Sequence, residues 1–264
     1  MLKSLYTTAT GMKTQQTMVD TIANNIANVN TAGFKKSQAS FEDLLYVTPK
    51  APGLEQNANG TASPIGIQIG SGSRLSGTTK IYTPGTLEPT QRSMDLAIDG
   101  DGFFVVQLAD GSEGYTRDGH LLVNADGRLV SSQGYTLVPE ITLPQDLLTL
   151  FIDREGRVSG TTAANPNTTQ PFGQLQLVKF INPSGLLSTG GNVLRRTDAS
   201  GAPVQGNAGS LGLGYLSQGF LERSNVDIVN ELVGLIVAQR AYEVNSRAIQ
   251  ASDQMLSVAT QIVR

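Results

Sequence analysis

Apolar positions recur along this chain with two different periods. Near the start, Leu2, Leu5, Ala9, Met12, Gln16, Val19, Ala23 and Ile26 fall at alternating steps of three and four, a heptad seam interrupted once, at Gln16. The spacing predicts a helix from Leu2 to Asn28, about 40 Å long. It should end near Thr31-Ala32-Gly33, where Gly33 can take the left-handed conformation that closes helices. At the other end Val237, Ala241, Val244, Ala248, Ala251, Met255, Val258 and Ile262 repeat the pattern. Ser224 followed by Asp227 resembles a capping box, and from Val226 to Arg264 there is no proline and one glycine, Gly234. This second helix should span about 58 Å. Glu243 and Arg247 stand four apart in the favourable order, worth about 0.3 kcal/mol.

Between the helices the period falls to two. Asp-Gly pairs recur at Asp101-Gly102, Asp110-Gly111, Asp118-Gly119 and Asp126-Gly127, a strong turn signal because both residues tolerate positive φ. The runs Phe103 to Leu108, His120 to Val123 and Tyr135 to Val138 are aromatic and β-branched, and Leu175 and Leu177 continue the alternation. Antiparallel strands joined by tight turns are expected. The polar, proline-containing stretch from Ser159 to Pro171 is expected to be a surface loop.

Tyr46 to Pro64 fits neither period. It carries Pro49, Pro52, Gly53, Asn57, Asn59, Gly60 and Pro64, which sustain neither a helix nor a central strand. Two readings stand: a flexible linker, or an extended arm that orders against a neighbouring subunit.

Composition changes the picture of the helices. Charged residues make up 16% of the chain, against a usual share of about 25%. The faces of the first helix away from the seam are mostly Thr, Gln and Asn, and among residues 2–28 only Lys3, Lys13 and Asp20 are charged. Such faces pack against copies of themselves without desolvating ions, so self-assembly stands beside a simple intramolecular hairpin as a reading. The net charge of −3 argues against nucleic acid. With no cysteine, thiolate catalysis and Cys-ligated metal are excluded. Residues 1–12 hold Lys3 but no continuous apolar run or small-residue cleavage site, so a Sec-type signal peptide is not expected. No stretch is apolar enough to span a bilayer.

Candidate chemistry is thin. His120 is the lone histidine and reads as a strand-surface residue. Asp99-Gly100-Asp101-Gly102 lacks the further ligands of a calcium loop, and Gly70-Ser71-Gly72 lacks a phosphate-binding lysine. Asp95, Asp99 and Asp101 offer carboxylates, but turn or surface roles are expected. No catalytic residue, metal ligand or cofactor-binding residue is assigned, no small-molecule substrate is implied, and the chain is not expected to be an enzyme.

Several runs carry a family resemblance. Ile22-Ala23-Asn24-Asn25-Ile26-Ala27-Asn28-Val29-Asn30-Thr31-Ala32-Gly33-Phe34-Lys35 closely resembles the N-terminal signature of bacterial flagellar rod and hook proteins. Gln239-Arg240-Ala241-Tyr242-Glu243-Val244-Asn245-Ser246 and Asp253-Gln254-Met255-Leu256 are similar to the C-terminal one. Residues 95–104 and Tyr115-Thr116-Arg117-Asp118-Gly119 resemble the core of the family's β-domain. Phe41-Glu42-Asp43-Leu44-Leu45-Tyr46 and Gly66-Ile67-Gln68-Ile69-Gly70-Ser71-Gly72 look like the distal-rod branch, whose insertion falls between them. A proximal rod or hook paralogue is the alternative, and a secreted β-rich hydrolase the remote one. Ser73, where a small apolar residue is more usual, and the pair Arg195-Arg196 depart from the pattern.

The resemblance implies an α+β chain: a discontinuous two-helix coiled-coil domain from both termini, a central all-β domain and an extended arm. The expected division is residues 1–34 and 218–264 for the helices, 35–70 for the arm and connector, and 71–217 for the β-domain. It further implies a hollow helical homopolymer that spans the periplasm as the basal-body rod, transmits torque and passes exported subunits. Implied partners are other copies, proximal rod proteins, the hook protein, the P-ring and L-ring bushing, and the flagellar type III export apparatus. Self-assembly is assigned to Leu5, Met12, Val19, Asn24, Asn25, Ile26, Asn28, Gly33, Phe34, Gln239, Arg240, Tyr242, Val244, Asn245, Ala248, Ala251, Met255 and Val258. Stiffness is assigned to Tyr46, Pro49, Pro52 and Pro64.

Overall fold

The structure, a computed structural model, describes residues 2–51 and 65–262. Its class is α+β: helix α1 is Leu2–Ala27, helix α2 is Ile228–Ile262, and all the named strands lie between them. The chain divides into two units. One draws on residues 1–26, 37–79 and 228–264, the other on 27–36 and 80–227.

The second unit is built on the strand Phe103–Gln107. It pairs with Glu113–Thr116 along one edge, and with Thr136–Val138 and Gln176–Lys179 along the other. Alternation sends Phe104 and Val106 into a core shared with Leu96, Leu121, Leu129, Leu137, Val158 and Leu177, all buried. Phe103 and Val105 point to a second, more aromatic cluster with Tyr115 and Phe180, whose rings meet edge to face at 4.8 Å. A strand buried on both faces reads as a continuous apolar run, which is how residues 103–106 read. The turns at Gly111 and Gly127 close with bonds from their N–H groups to Leu108 O (2.9 Å) and Asn124 O (3.0 Å). Asp118-Gly119 departs from the expected hairpin turn. Gly119 has no positive φ; a Cβ there would overlap the carbonyl oxygen of Leu96, so close backbone approach is what requires glycine.

The stretch read as a surface loop is instead a hairpin. Arg157–Thr162 pairs with Asn165–Gln174 and with Leu147–Ile152. Its alternation is carried by Val158, Gly160 and Thr162, which hide a small or β-branched face that a polar composition conceals. Pro171 is accommodated where the register shifts, between the pairs Val158–Gly173 and Ser159–Pro171.

In the first unit, Ser37–Asp43 pairs with Ser73–Lys80, and Val47–Lys50 with Ile67–Ile69. The packed face of α1 is offset from the predicted seam. Thr14, Ile22 and Asn25 are buried, whereas Ala9, Gln16 and Ala23 are exposed. The stripe through Thr7, Gly11, Thr14, Met18, Ile22 and Asn25 packs because its hydroxyls turn back on the helix: Thr14 Oγ1 donates to Gly11 O at 2.8 Å. Thr14 Oγ1 also lies 3.4 Å from Ser73 Oγ, so the polar residue at position 73 meets a polar partner on α1. α1 ends at Ala27, and Gly33, with φ of 66°, serves a later turn and not the helix cap. α2 starts at Ile228, so Asp227 occupies its N-cap position, and Ser224 Oγ instead accepts from Val226 N at 3.3 Å.

Candidate functional site

Two features stand out: a buried ionic cluster in the second unit and an uncovered face on α2.

The cluster begins with Phe220–Glu222, a strand paired to Leu87–Pro89. That pairing carries Glu222 fully inside, where its Oε1 accepts from Lys35 Nζ (2.6 Å) and Gly85 N (2.9 Å), and its Oε2 from Arg117 Nη1 (3.2 Å). Lys35 Nζ also donates to Thr83 O at 2.8 Å, and Arg117 Nη2 to Gly100 O at 2.7 Å. The backbone joins in. Glu222 O accepts from Gly33 N at 2.8 Å, and Asn225 Oδ1 from Lys36 N at 2.8 Å, while Asn225 Nδ2 donates to Ile81 O. Gly33 is required here, because a Cβ would stand 2.6 Å from the carbonyl carbon of Arg117. Burial pushes the pKa values of Lys35 and Arg117 down, and Glu222 opposes that shift in both. The cluster thus laces together the segments through which the chain enters and leaves this unit. Lys35 and Arg117 were visible as members of family-like runs. Glu222 was missed, and the only signal for it was that two cations in motifs need an anion.

Of the residues assigned to assembly, Asn25 is buried. Its Nδ2 donates to Ser37 O (2.9 Å) and Glu231 Oε2 (3.2 Å), and its Oδ1 accepts from Ser37 N (2.9 Å). Leu5, Met12, Val19 and Ile26 are half-buried and Asn24 is exposed. Asn28 accepts a hydrogen bond from Thr31 Oγ1, and the ring of Phe34 lies under the Lys80 ammonium at 5.8 Å. On α2 the buried residues are Ala238 and Ser252, flanked by half-buried Gly234, Ala241, Asn245, Ala248 and Ile249. The helices approach closely at the small residues: a Cβ on Gly11 would lie 3.1 Å from Asn245 Nδ2, and one on Gly234 would lie 3.4 Å from Ile22 Cδ1.

The larger members of the predicted C-terminal seam point away from this contact. Val237, Tyr242, Val244, Met255 and Val258 are exposed, together with Val229, Leu232, Val233 and Ile236, while Gln239, Arg240 and Ala251 are exposed beside them. Glu243 pairs with Arg240, three residues before it, at 2.9 Å, where the spacing pointed to Arg247. Tyr46 and Pro49 are exposed; Pro52 and Pro64 lie outside the described residues.

Asp95, expected at a turn or the surface, is buried, with Oδ1 3.1 Å from His120 Nδ1. Among the described residues, no three His, Cys, Asp or Glu side chains gather as a metal site would require.

Known proteins match along the whole chain. The family model for the flagella basal body rod protein covers residues 5–35, that for the flagellar hook protein FlgE/F/G D1 domain covers 97–160, and that for the flagellar basal body rod FlgEFG protein C-terminal covers 217–262. The flagellar basal-body rod protein FlgG of Borreliella burgdorferi is 45% identical over 266 residues, 100% of both chains. In Bacillus subtilis, FlgG is 41% identical over 100% of both chains, whereas the flagellar hook-basal body complex protein FlhP is 30% identical over 99% of this chain and 100% of that one. The branch-specific likeness is therefore stronger to FlgG than to a paralogue from the same organism, and the chain belongs to the FlgG family of flagellar basal-body rod proteins.

Proposed function

We propose that this chain is a structural subunit of the flagellar distal rod, polymerising into a stiff hollow tube that carries torque to the hook and lets exported subunits pass. The observation that carries the reading is full-length identity to FlgG proteins, 45% in Borreliella burgdorferi. The uncovered apolar face of α2 supports it. Val229, Leu232, Val233, Ile236, Val237 and Val244 are all exposed large aliphatics, and a contiguous apolar stripe on one chain marks a surface that a partner covers. In this reading the copies of α1 and α2 pair as a coiled-coil layer lining the channel. The subunit reaches the periplasm through the flagellar type III apparatus. It stacks on proximal rod proteins, meets the hook protein above, and turns within the P-ring and L-ring bushing.

The test is replacement. A motile bacterium lacking its own distal rod subunit should regain hooks and swimming when given this chain together with matching rod and hook partners. Basal bodies that stop at the proximal rod, with the chain secreted but not incorporated, would refute it.

A further inference from the structure

Asp95, one of the two buried carboxylates of the second unit, faces His120, so around Arg117 cations outnumber anions. Lys35 and Arg117 share Glu222 as their buried partner, and nearby Lys179 is matched by Asp101 at 2.8 Å. Lys80 lines a small cavity beside the same cluster. Next to Arg117 lies a larger cavity of about 220 Å³, whose lining includes Tyr82, Asp101, Phe103, Arg117, Lys179 and Phe180. Two polar atoms here are buried and have no hydrogen-bond partner: Nε of Arg117, a side chain 4% exposed, and the hydroxyl of Tyr82. Both residues line both cavities.

The chemistry of the two orphans narrows what satisfies them. Guanidinium N–H only donates. Burial pushes the Tyr82 hydroxyl up to about 12, so it too keeps a proton to give. Two donors in a net cationic site call for an acceptor with two oxygens and a negative charge. Apart from the Lys179–Asp101 ion pair the remaining walls are apolar, with Phe103, Phe180 and Pro183 in the lining and Ile181 86% exposed at the rim. They suit a short aliphatic stem and leave the extra oxygens of a tetrahedral anion facing aromatic carbon.

We propose that this cavity is a carboxylate-binding site, in which Arg117 Nε and Tyr82 Oη donate to a carboxylate whose stem lies against Phe103 and Phe180. A free small carboxylate and an acidic side chain from a second copy present the same group; the second source rests on the rod reading above.

Two arms test it on the full chain. At polymer-free concentration, sodium propionate should raise the thermal midpoint above that in sodium chloride of equal ionic strength, by about 2 °C when near saturation. Sodium phosphate should give no such rise, and Tyr82→Phe should abolish the response to propionate without lowering the midpoint in chloride. In the second arm, Tyr82→Phe should raise the critical concentration for polymerisation several-fold if the carboxylate comes from a neighbouring copy. A propionate response with an unchanged critical concentration assigns the site to a free carboxylate; a raised critical concentration assigns it to a neighbour. An equal response to phosphate overturns the carboxylate class. No response in either arm overturns the site and leaves the two donors to water. A wild-type chain that never polymerises counts against the rod reading alone, since the propionate arm still decides whether the site exists.

Discussion

The Glu222 carboxylate holds two buried cations and the Gly85 N–H, while its backbone carbonyl separately accepts from Gly33 N, so removing its charge leaves both cations buried without a counter-charge. Breaking a buried pair from one side costs about 3–5 kcal/mol, because the remaining charge stays buried without a partner. Glu222→Gln should therefore lower unfolding stability by about that amount, read as a fall in urea midpoint at unchanged slope. Glu88→Gln, on the exposed pair with Arg223, should change it by less than about 1 kcal/mol. A midpoint equally insensitive to both would mean the cluster is solvated. Titration adds a second check. The Tyr82 hydroxyl is raised by burial to about 12, whereas an unfolded tyrosine ionises near about 10. A folded pKa above the unfolded one means the contribution is complete below about 10 and is lost as pH climbs toward about 12. Alkaline unfolding should accordingly be less steep in Tyr82→Phe, followed by tyrosinate absorbance. Asp110 works in the opposite sense. The Ser112 hydroxyl, then the Ser112 N–H and Arg195, hold its carboxyl at about 2, so its contribution is present above about 4 and fades as pH falls through about 2. At this scale the sequence was partly readable. Lys35 and Arg117 sit in recognisable runs, but a single Glu after Phe220-Leu221 looks like any exposed strand residue until its partners are brought in from positions 35 and 117.

Heptad counting located the helices but not which face each keeps for itself. On α2 the large residues Val237, Val244, Met255 and Val258 form a seam by spacing, yet the contact within one chain falls on Gly234, Ala238, Ala241, Ala248 and Ser252. Small side chains let backbones approach closely, and on α1 the facing stripe mixes Thr7, Gly11, Thr14 and Asn25 with Met18 and Ile22, so its polar members hid it from a search for apolar periodicity. The two faces should separate experimentally. Ala238 has no exposed surface, so Ala238→Leu should overpack the contact and cost about 1–3 kcal/mol in the unassembled chain. Val244→Gln removes an exposed aliphatic, so it should leave the single chain within about 0.5 kcal/mol of wild type, yet stop polymer from sedimenting. Val244→Gln polymer at the wild-type critical concentration would return this face to mere solvent exposure. The strands show the same lesson from the other side. The run Phe103 to Leu108 announced itself through bulk, whereas Arg157–Thr162 and Asn165–Gln174 pair through Gly, Thr and one valine, and their composition reads as loop.

For the molecule as a whole, the ionic cluster sets where it can be cut. A fragment from Ser71 to Ser217, the natural excision by strand signals, discards Lys35, Glu222 and the strand Phe220–Glu222, and leaves Arg117 buried without its counter-charge. Residues 27–36 joined by a short Gly-Ser link to residues 80–227 should instead give a cooperative, monomeric β-unit, and the shorter piece should unfold at markedly lower urea. The remaining question is what makes a tube of such subunits rigid. Leu45, Tyr46 and Val47 on one side and Ile65, Ile67 and Ile69 on the other are exposed around the paired strands Val47–Lys50 and Ile67–Ile69, a strip of apolar surface that a single chain leaves in water. Residues 51–66 leave and return to that one pair of strands, so the farthest possible reach of the segment Tyr46 to Pro64 is about 25 Å, enough to touch an adjoining copy. Pro49, Pro52 and Pro64 restrict its backbone beforehand, which lowers the entropy lost when it docks. Bending a tube requires its subunits to slide along one another, and a strap laid across that boundary opposes the slide. Replacing residues 46–64 with a short Gly-Ser link removes the strap while the ionic cluster and both helices stay intact. Assembly should continue, but the product should curve or bend in electron micrographs and swimming should fall. Tubes as straight and as stiff as wild type would reduce this segment to a tether.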